Sequence, residues 1–239
     1  MGAAFKNRFL FEVTMTRNKT TIYSAAEYDE KILTTLPFYD SFHRQTVDLV
    51  RSLPEPPQKW LDVGCGTGNL YLCARQYFPK TEFILADPSQ DMLAVARGKT
   101  EADTSPVFML SDSQSLNCPD NVFDVISAIQ CHHYSDKPER RKAVGNCFRM
   151  LRPGGVFVVF ENIRPLSEQA LPLSLKRLEN YQTRRGKTQE EARLHTARFD
   201  REYFPLSILE HLRLLEETGF SAAEILWASY LQAGFYAIK

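Results

Sequence analysis

From Lys59 onward the chain alternates between short, almost unbroken apolar runs and longer stretches whose hydrophobic positions follow a helical spacing. "KWLDVG", "EFILAD", "VFMLS", "FDVISAIQ" and "VFVVFEN" read as buried strands, too short for helices and rich in β-branched and aromatic residues. Between them the pattern predicts a helix from Asn69 to Pro79, one that Ser89 caps and Gly98 ends, and one from about Pro138 to Leu151 before "RPGG". Strands alternating with helices predict right-handed βαβ units, hence an α/β fold with a parallel sheet and helices on both faces.

The flanks differ. Residues 1–21 show weak periodicity and are expected to be poorly ordered, with residues 22–239 forming one domain. From Ile22 to Leu53 the pattern is helical, with Phe38, Phe42, Val47 and Val50 as candidate buried positions and Pro37 dividing two helices. "PEPP" at 54–57 closes that section as a stiff turn. After Arg164 comes a helix-rich insertion, residues 165–205, broken at Gly186. The helix "SILEHLRLLEETG" follows, with Ile208, Leu212 and Leu215 on one face and Gly219 as its stop. "AEILWASY" and "QAGFYAIK" end the chain as two strand-like runs close enough for a hairpin.

Composition narrows the function classes. Of 239 residues, 44% are hydrophobic and 24% charged, ordinary for a globular protein with a substantial core. Lys+Arg and Asp+Glu both number 29, which argues against a dedicated nucleic-acid or anionic-lipid binder. No apolar stretch approaches the roughly 18 residues of a membrane span. Lys6, Arg8 and Glu12 fall where a signal peptide needs its apolar core, and Lys6 falls where a myristoylation motif wants Ser or Thr. The cysteines at 65, 73, 118, 131 and 147 are odd in number and lack CxxC spacing, so reduced thiols and a cytoplasmic setting are expected.

The chemistry concentrates at the strand ends. Gly64-x-Gly66-x-Gly68 joins the first strand to its helix, with Asp62 just inside the strand. Glycines there let a ligand touch the backbone, and the helix N-terminus favours negative charge. A nicotinamide-dinucleotide loop wants G-x-G-x-x-G, but position 69 is Asn. Asp87 ends the second strand, where a carboxylate can accept from both hydroxyls of a ribose, and Asp112 follows the third. Together they outline an adenosine ligand across the carboxyl edge of the sheet.

On the segments "LDVGCGTGNL", "LADPSQDML", "SDSQSL", "FDVISAIQCHHY" and "MLRPGGVFVV", in this order, the chain resembles the class I S-adenosylmethionine-dependent methyltransferases. The resemblance covers about residues 22–239 and implies a Rossmann-like, seven-stranded, mostly parallel sheet closed by an antiparallel C-terminal hairpin. It implies S-adenosylmethionine as cofactor, with Gly64, Cys65, Gly66 and Gly68 at its methionyl part and Asp62 holding its ammonium. Asp87 takes the ribose, Asp112 and Ser113 the adenine, Pro88 and Met92 line the same site, and Gln130 sits beside the sulfonium. "YSAAEYDEKI" looks like the helical N-terminal lid of relatives in which a tyrosine closes over the cofactor, with Tyr23 and Tyr28 as candidates and residues 22–53 as the lid.

Methyl transfer from a sulfonium needs alignment and exclusion of water, and a base only for a protonated nucleophile. No residue is therefore assigned a catalytic role outright; His132, His133 and Arg198 are the candidates. Adjacent histidines diverge and are too few for a structural zinc site, and turnover is expected to need no metal. Cys65 has nothing basic beside it in sequence and reads as a small residue rather than a nucleophile. The insertion, expected to cap the acceptor, is richer in Arg and Lys than in acids, which is either a solvated face or an attraction for an anionic acceptor. The expected function is methyl transfer to a small molecule. The alternatives are a transfer-RNA wobble-uridine modifier using a carboxylated cofactor, a nicotinamide oxidoreductase and a non-catalytic cofactor binder. Arg198 falls roughly where the wobble-uridine branch has a carboxylate-binding arginine, but "GCGTG" departs from that branch.

Overall fold

The apolar runs from Lys59 to Asn162 become neighbouring strands of one sheet in the computed structural model, which describes residues 21–101, 103 and 105–239. The expectation for residues 1–20 lies outside these. In chain order the elements are α1 (Tyr28–Thr35), α2 (Tyr39–Arg51), β1 (Lys59–Val63), α3 (Asn69–Arg75), β2 (Glu82–Asp87) and α4 (Gln90–Lys99). There follow β3 (Val107–Leu110), β4 (Phe123–Ile129), α5 (Lys137–Met150), β5 (Leu151–Arg164), α6 (Leu171–Arg184) and α7 (Gln189–Thr196). The last are β6 (Leu206–Ser207), α8 (Ile208–Thr218), β7 (Ala222–Ser229) and β8 (Gln232–Ile238).

The sheet order is β3-β2-β1-β4-β5-β8-β7, with the two-residue β6 beside β5. Pairings from β3 through β5 are parallel, and β8 runs antiparallel to both β5 and β7. The Rossmann-like expectation holds, C-terminal hairpin included. The order reverses between β1 and β4, and at that switch point open α/β sheets bind ligands beyond their carboxyl ends.

Strand alternation builds two cores. Leu61, Val63, Ile84, Ala86, Ile126 and Ala128 face α5 and α8 through Val144, Cys147, Leu214 and Leu215. Trp60, Phe83, Leu85 and Val125 face the other way, onto α2, α3 and α4 through Val47, Val50, Leu70, Ala74 and Leu93. Burial on both faces explains why these strands read as continuous apolar runs. The helices are set by local chemistry: Ser89 caps α4, and Asp136/Glu139, Thr188/Glu191 and Ser207/Glu210 form reciprocal capping boxes at α5, α7 and α8.

Two expectations need correction. Gly98 does not end α4; the helix continues through Lys99, and Thr100 closes it by donating from its N–H to Ala96 O. Phe38 is not core: it is 54% exposed, in the left-handed region at φ 59°, and its ring leans on Trp227 and Tyr230. Residues 22–53 pack onto the sheet: Phe42 stacks on Phe160 at 5.0 Å, Val47 and Val50 are buried, and Ile32 and Leu36 of the α1 segment join the cluster of Phe42 and Phe160.

The insertion folds as α6 and α7 about Gly186, packing Leu178 against Phe199, Tyr203 and Leu231. It is tied to the N-terminal segment. Gln182 Nε2 donates to Thr35 O at 3.0 Å, Lys187 Nζ to Tyr23 Oη at 2.7 Å, and Tyr23 Oη meets Thr35 Oγ1 at 2.7 Å. Among the described residues no helix is long and apolar enough to cross a membrane.

Candidate functional site

The turn after β1 can be made only by a backbone largely free of side chains. Gly64, Gly66 and Gly68 have φ of 66°, 54° and 81°, the left-handed region that penalises a Cβ. At Gly64 a Cβ would also lie 2.4 Å from Cys131 Cβ, whereas at Gly66 it would meet nothing within 4 Å. The first glycine thus admits the neighbouring turn, and the second leaves room for a ligand. Gly68 is the N-cap of α3.

Asp87 holds this loop from the end of β2. Its Oδ2 accepts from Gly66 N–H at 2.9 Å and its Oδ1 from Ser89 N–H at 2.8 Å. Burial raises its pKa, and the two amide bonds oppose that. Loop and carboxylate open on a cleft of about 230 Å³ whose lining includes Tyr23, Tyr28, Gly64, Gly66, Asp87, Pro88, Met92, Gln130 and Tyr134. Gln130 has φ 57°, strained for a residue with a side chain, and is held there by its N–H donating to Phe160 O at 2.7 Å. Its Nε2 is buried without a partner.

Asp62 lies behind the loop rather than on the cleft wall. Its Oδ1 accepts from Ser127 Oγ at 2.6 Å, and its Oδ2 is buried and unpartnered. Burial pushes its pKa up to about 7. A carboxyl whose folded pKa is raised stabilises the fold most fully below the unfolded value, and that contribution is lost as pH rises to about 7. In the ligand-free protein, Asp62→Asn should therefore gain in thermal midpoint over the parent between about pH 4 and about pH 7, and hold that gain above. Parallel melts that keep a constant difference over this range would contradict the assignment.

Other expected residues lie elsewhere. Asp112 is exposed, and its Oδ1 closes its own turn by accepting from Gln114 N–H and Ser115 N–H at 3.0 and 2.8 Å. Ser113 is buried with its hydroxyl on His132 Nε2 at 2.8 Å, so neither side chain lines the cleft. Cys65 is core, its thiol pushed well above the ordinary range by burial.

Asp29 of α1, which the sequence reading did not single out, is bonded to the glycine loop and the start of α3. It accepts from Thr67 Oγ1 at 2.6 Å and Asn69 Nδ2 at 2.8 Å, and pairs with Lys99. These bonds outweigh the effect of burial and lower its pKa. They also give Asn69 its task where a dinucleotide loop has glycine. Glu161 was missed too, although a lone acid in "VFVVFEN" signals it. Fully buried, it accepts from His132 N–H at 2.9 Å through Oε1 and pairs with His133 Nδ1 at 2.8 Å through Oε2. Burial alone would raise its pKa; attraction to His133, His132 and Arg140 wins and lowers it.

Cys131, His132 and Glu161 bring one potential metal donor each within 4.8 Å of one another, a grouping that sequence spacing hides. Both Glu161 oxygens are already committed to histidine donors, and the buried Arg140 adds positive charge, so the donor set suits a paired carboxylate better than a cation. His132 is neutral, its pKa pushed down to about 4 by burial.

Beyond Gln130 and Tyr134 the cleft adjoins a small inner cavity of about 30 Å³, whose lining includes Tyr28, His133, His195, Arg198 and Tyr203. No carboxylate is among its lining residues. Arg198 is buried there, with Nε on Glu202 at 2.6 Å and its guanidinium over the Tyr203 ring. At Tyr23, His195 and Arg198 the inner cavity meets an outer cleft of about 620 Å³ between α1 and α7.

Residues 61–155 match the family described as "Methyltransferase domain". The chain is 38% identical over 122 residues to the demethylmenaquinone methyltransferase of Thermus thermophilus, covering 50% of this chain and 53%, about half, of that relative. It is 24% identical over 214 residues to the carboxy-S-adenosyl-L-methionine synthase of Trichodesmium erythraeum, covering 89% of this chain and 85% of that one. Among solved structures, an O-methyltransferase family protein from Burkholderia thailandensis superposes with a TM-score of 0.57 at 16% identity, over 84% of this chain and 58% of that chain.

Proposed function

Because the chain carries a class I S-adenosylmethionine-dependent methyltransferase domain, we propose that it transfers a methyl group from S-adenosylmethionine to a small, anionic acceptor. The cofactor supplies a methyl group activated on a sulfonium, with a neutral leaving group. The observation behind the cofactor reading is the set of unused groups around the loop. Asp62 Oδ2 is an acceptor without a donor, Gln130 Nε2 a donor without an acceptor, and a Cβ on Gly66 would meet nothing within 4 Å. In this reading Asp87 takes the ribose hydroxyls, Asp62 answers the ammonium, and Gln130 orients the methionyl end. Pro88 and Met92 flank the ribose and base. Asp112 and Ser113 bear on the adenine through their turn alone.

The acceptor reading rests on Arg198, which lines both the inner cavity and the outer cleft beside phenols, its Nε paired with Glu202. The segment 21–36 acts as a lid, fastened to the loop by Asp29 and to the insertion by Tyr23, and residues 165–205 cap the acceptor. A neutral chain favours a compact acceptor over an RNA, whose many phosphates need offsetting. The metal-free step is the part of this reading that a chelator tests.

Arg198→Ala is expected to lower methyl transfer from labelled S-adenosylmethionine into a small-metabolite extract by at least about tenfold, with S-adenosylhomocysteine affinity within about threefold. An equal loss of both would show that Arg198 serves the fold or the cofactor. Unchanged transfer would remove it from the acceptor site.

A further inference from the structure

We propose that His195 selects the acceptor: its imidazole presents a neutral N–H at the inner cavity, so the site takes molecules with a hydrogen-bond-accepting oxygen there and rejects amines. This rests on the reading of the chain as a methyltransferase with its acceptor beside Arg198, and it adds a second contact to that acceptor.

The tautomer follows from one amide. Gln182 of α6 is fully buried, and its Nε2 lies 3.0 Å from Thr35 O and 2.9 Å from His195 Nδ1. A carbonyl oxygen can only accept, so Thr35 O fixes the amide nitrogen toward itself, although this leaves Gln182 Oε1 buried without a partner. The flipped amide would set two carbonyl oxygens against each other. Gln182 thus spends one hydrogen on Thr35 O and the other on the imidazole. Nδ1 must be the bare, accepting nitrogen, and the ring proton sits on Nε2. Burial holds the His195 pKa down to about 3, so the ring stays neutral and keeps this single proton at neutral pH.

His195 is buried where the inner cavity meets the outer cleft and lines both, as does Arg198. Gln182 lines neither, so the Nδ1 edge is turned away and Nε2–H is what the ring offers. Among the described residues no hydrogen bond uses Nε2. A donor on a cavity wall is left to water until an oxygen of an entering molecule replaces it. Arg198 contributes charge there and His195 a directional N–H. An ammonium group would meet a like charge and a nitrogen that cannot accept from it. The lock also joins lid and insertion, since Thr35 belongs to α1, Gln182 to α6 and His195 to α7. The contact that fastens the lid is therefore the contact that sets the donor.

Two measurements on the full chain test this. Nitrogen NMR of the histidine rings at about pH 7 should show His195 protonated at Nε2 and bare at Nδ1. A proton on Nδ1 would overturn the proposal. In Gln182→Glu the carboxylate has no hydrogen for the imidazole, and the ring should gain a proton at Nδ1; Gln182→Met, in case the buried charge prevents folding, should give a mixture of tautomers. An unchanged tautomer in the variant that folds would overturn the lock. With labelled S-adenosylmethionine and a small-metabolite extract, His195→Leu should lower transfer at least about tenfold, with S-adenosylhomocysteine affinity within about twofold. His195→Gln, which restores an N–H, should recover transfer to within about threefold of the parent. Transfer retained in His195→Leu, equal loss in both His195 variants, or a labelled product whose only polar groups are amines would overturn the proposal. If the parent protein transfers no label, the methyltransferase reading fails and this proposal with it; parental transfer with the other tautomer makes this proposal fail alone.

Discussion

Asp87→Ala is expected to weaken S-adenosylhomocysteine binding by about 2–4 kcal/mol, roughly 30- to 1000-fold. The carboxylate both lines the cleft and holds the loop, through Gly66 and Ser89. Its removal costs the ribose two charge-assisted bonds and leaves two loop amides to find water. Asp87→Asn, which keeps an acceptor but loses the charge, should fall between. Because burial raises the Asp87 pKa, parental affinity should decline as pH falls toward that raised value, and the alanine variant should lack this dependence. Calorimetry showing less than about a threefold loss would remove the ribose contact.

Gly64→Ala is expected to be the most damaging single methyl group in the loop. Its Cβ would sit 2.4 Å from Cys131 Cβ and 2.9 Å from Cys131 Sγ, on a backbone at φ 66°. The left-handed backbone costs about 1–2 kcal/mol and overpacking about 1–3 kcal/mol, a combined loss of roughly 2–5 kcal/mol in stability. Gly66→Ala should separate the effects: with nothing within 4 Å of its Cβ it carries only the backbone cost, yet that methyl group intrudes on the ligand. Chemical denaturation should therefore rank Gly64→Ala well below Gly66→Ala, while both lose cofactor binding. Cys131→Gly should partly restore Gly64→Ala, and failure to do so would refute the steric explanation.

What the sequence made legible was local. The spacing Gly64-x-Gly66-x-Gly68 and the acid ending "EFILAD" name their own backbone needs within a few residues, and apolar runs without alternation announce strands covered on both faces. What stayed hidden depends on contacts far along the chain. Asp29 meets Thr67 and Asn69 only once α1 folds over the loop, and Glu161 acquires its meaning only beside His133. Phe38 looked like core by hydrophobicity, but its left-handed turn sends it outward, where Trp227 and Tyr230 shield part of the ring. Gly98 looked like a stop, yet Thr100 supplies the termination two residues on. Asp112 shows the converse, a strand-end acid whose carboxylate is used by its own turn.

The central claim is the identity of the ligand that the loop and Asp87 accept. Titration calorimetry of the protein with S-adenosylhomocysteine and, separately, with NADH tests it most directly. The account predicts a dissociation constant for S-adenosylhomocysteine on the order of 10⁻⁶ M and little or no heat from NADH. Tighter binding of NADH than of S-adenosylhomocysteine would contradict it.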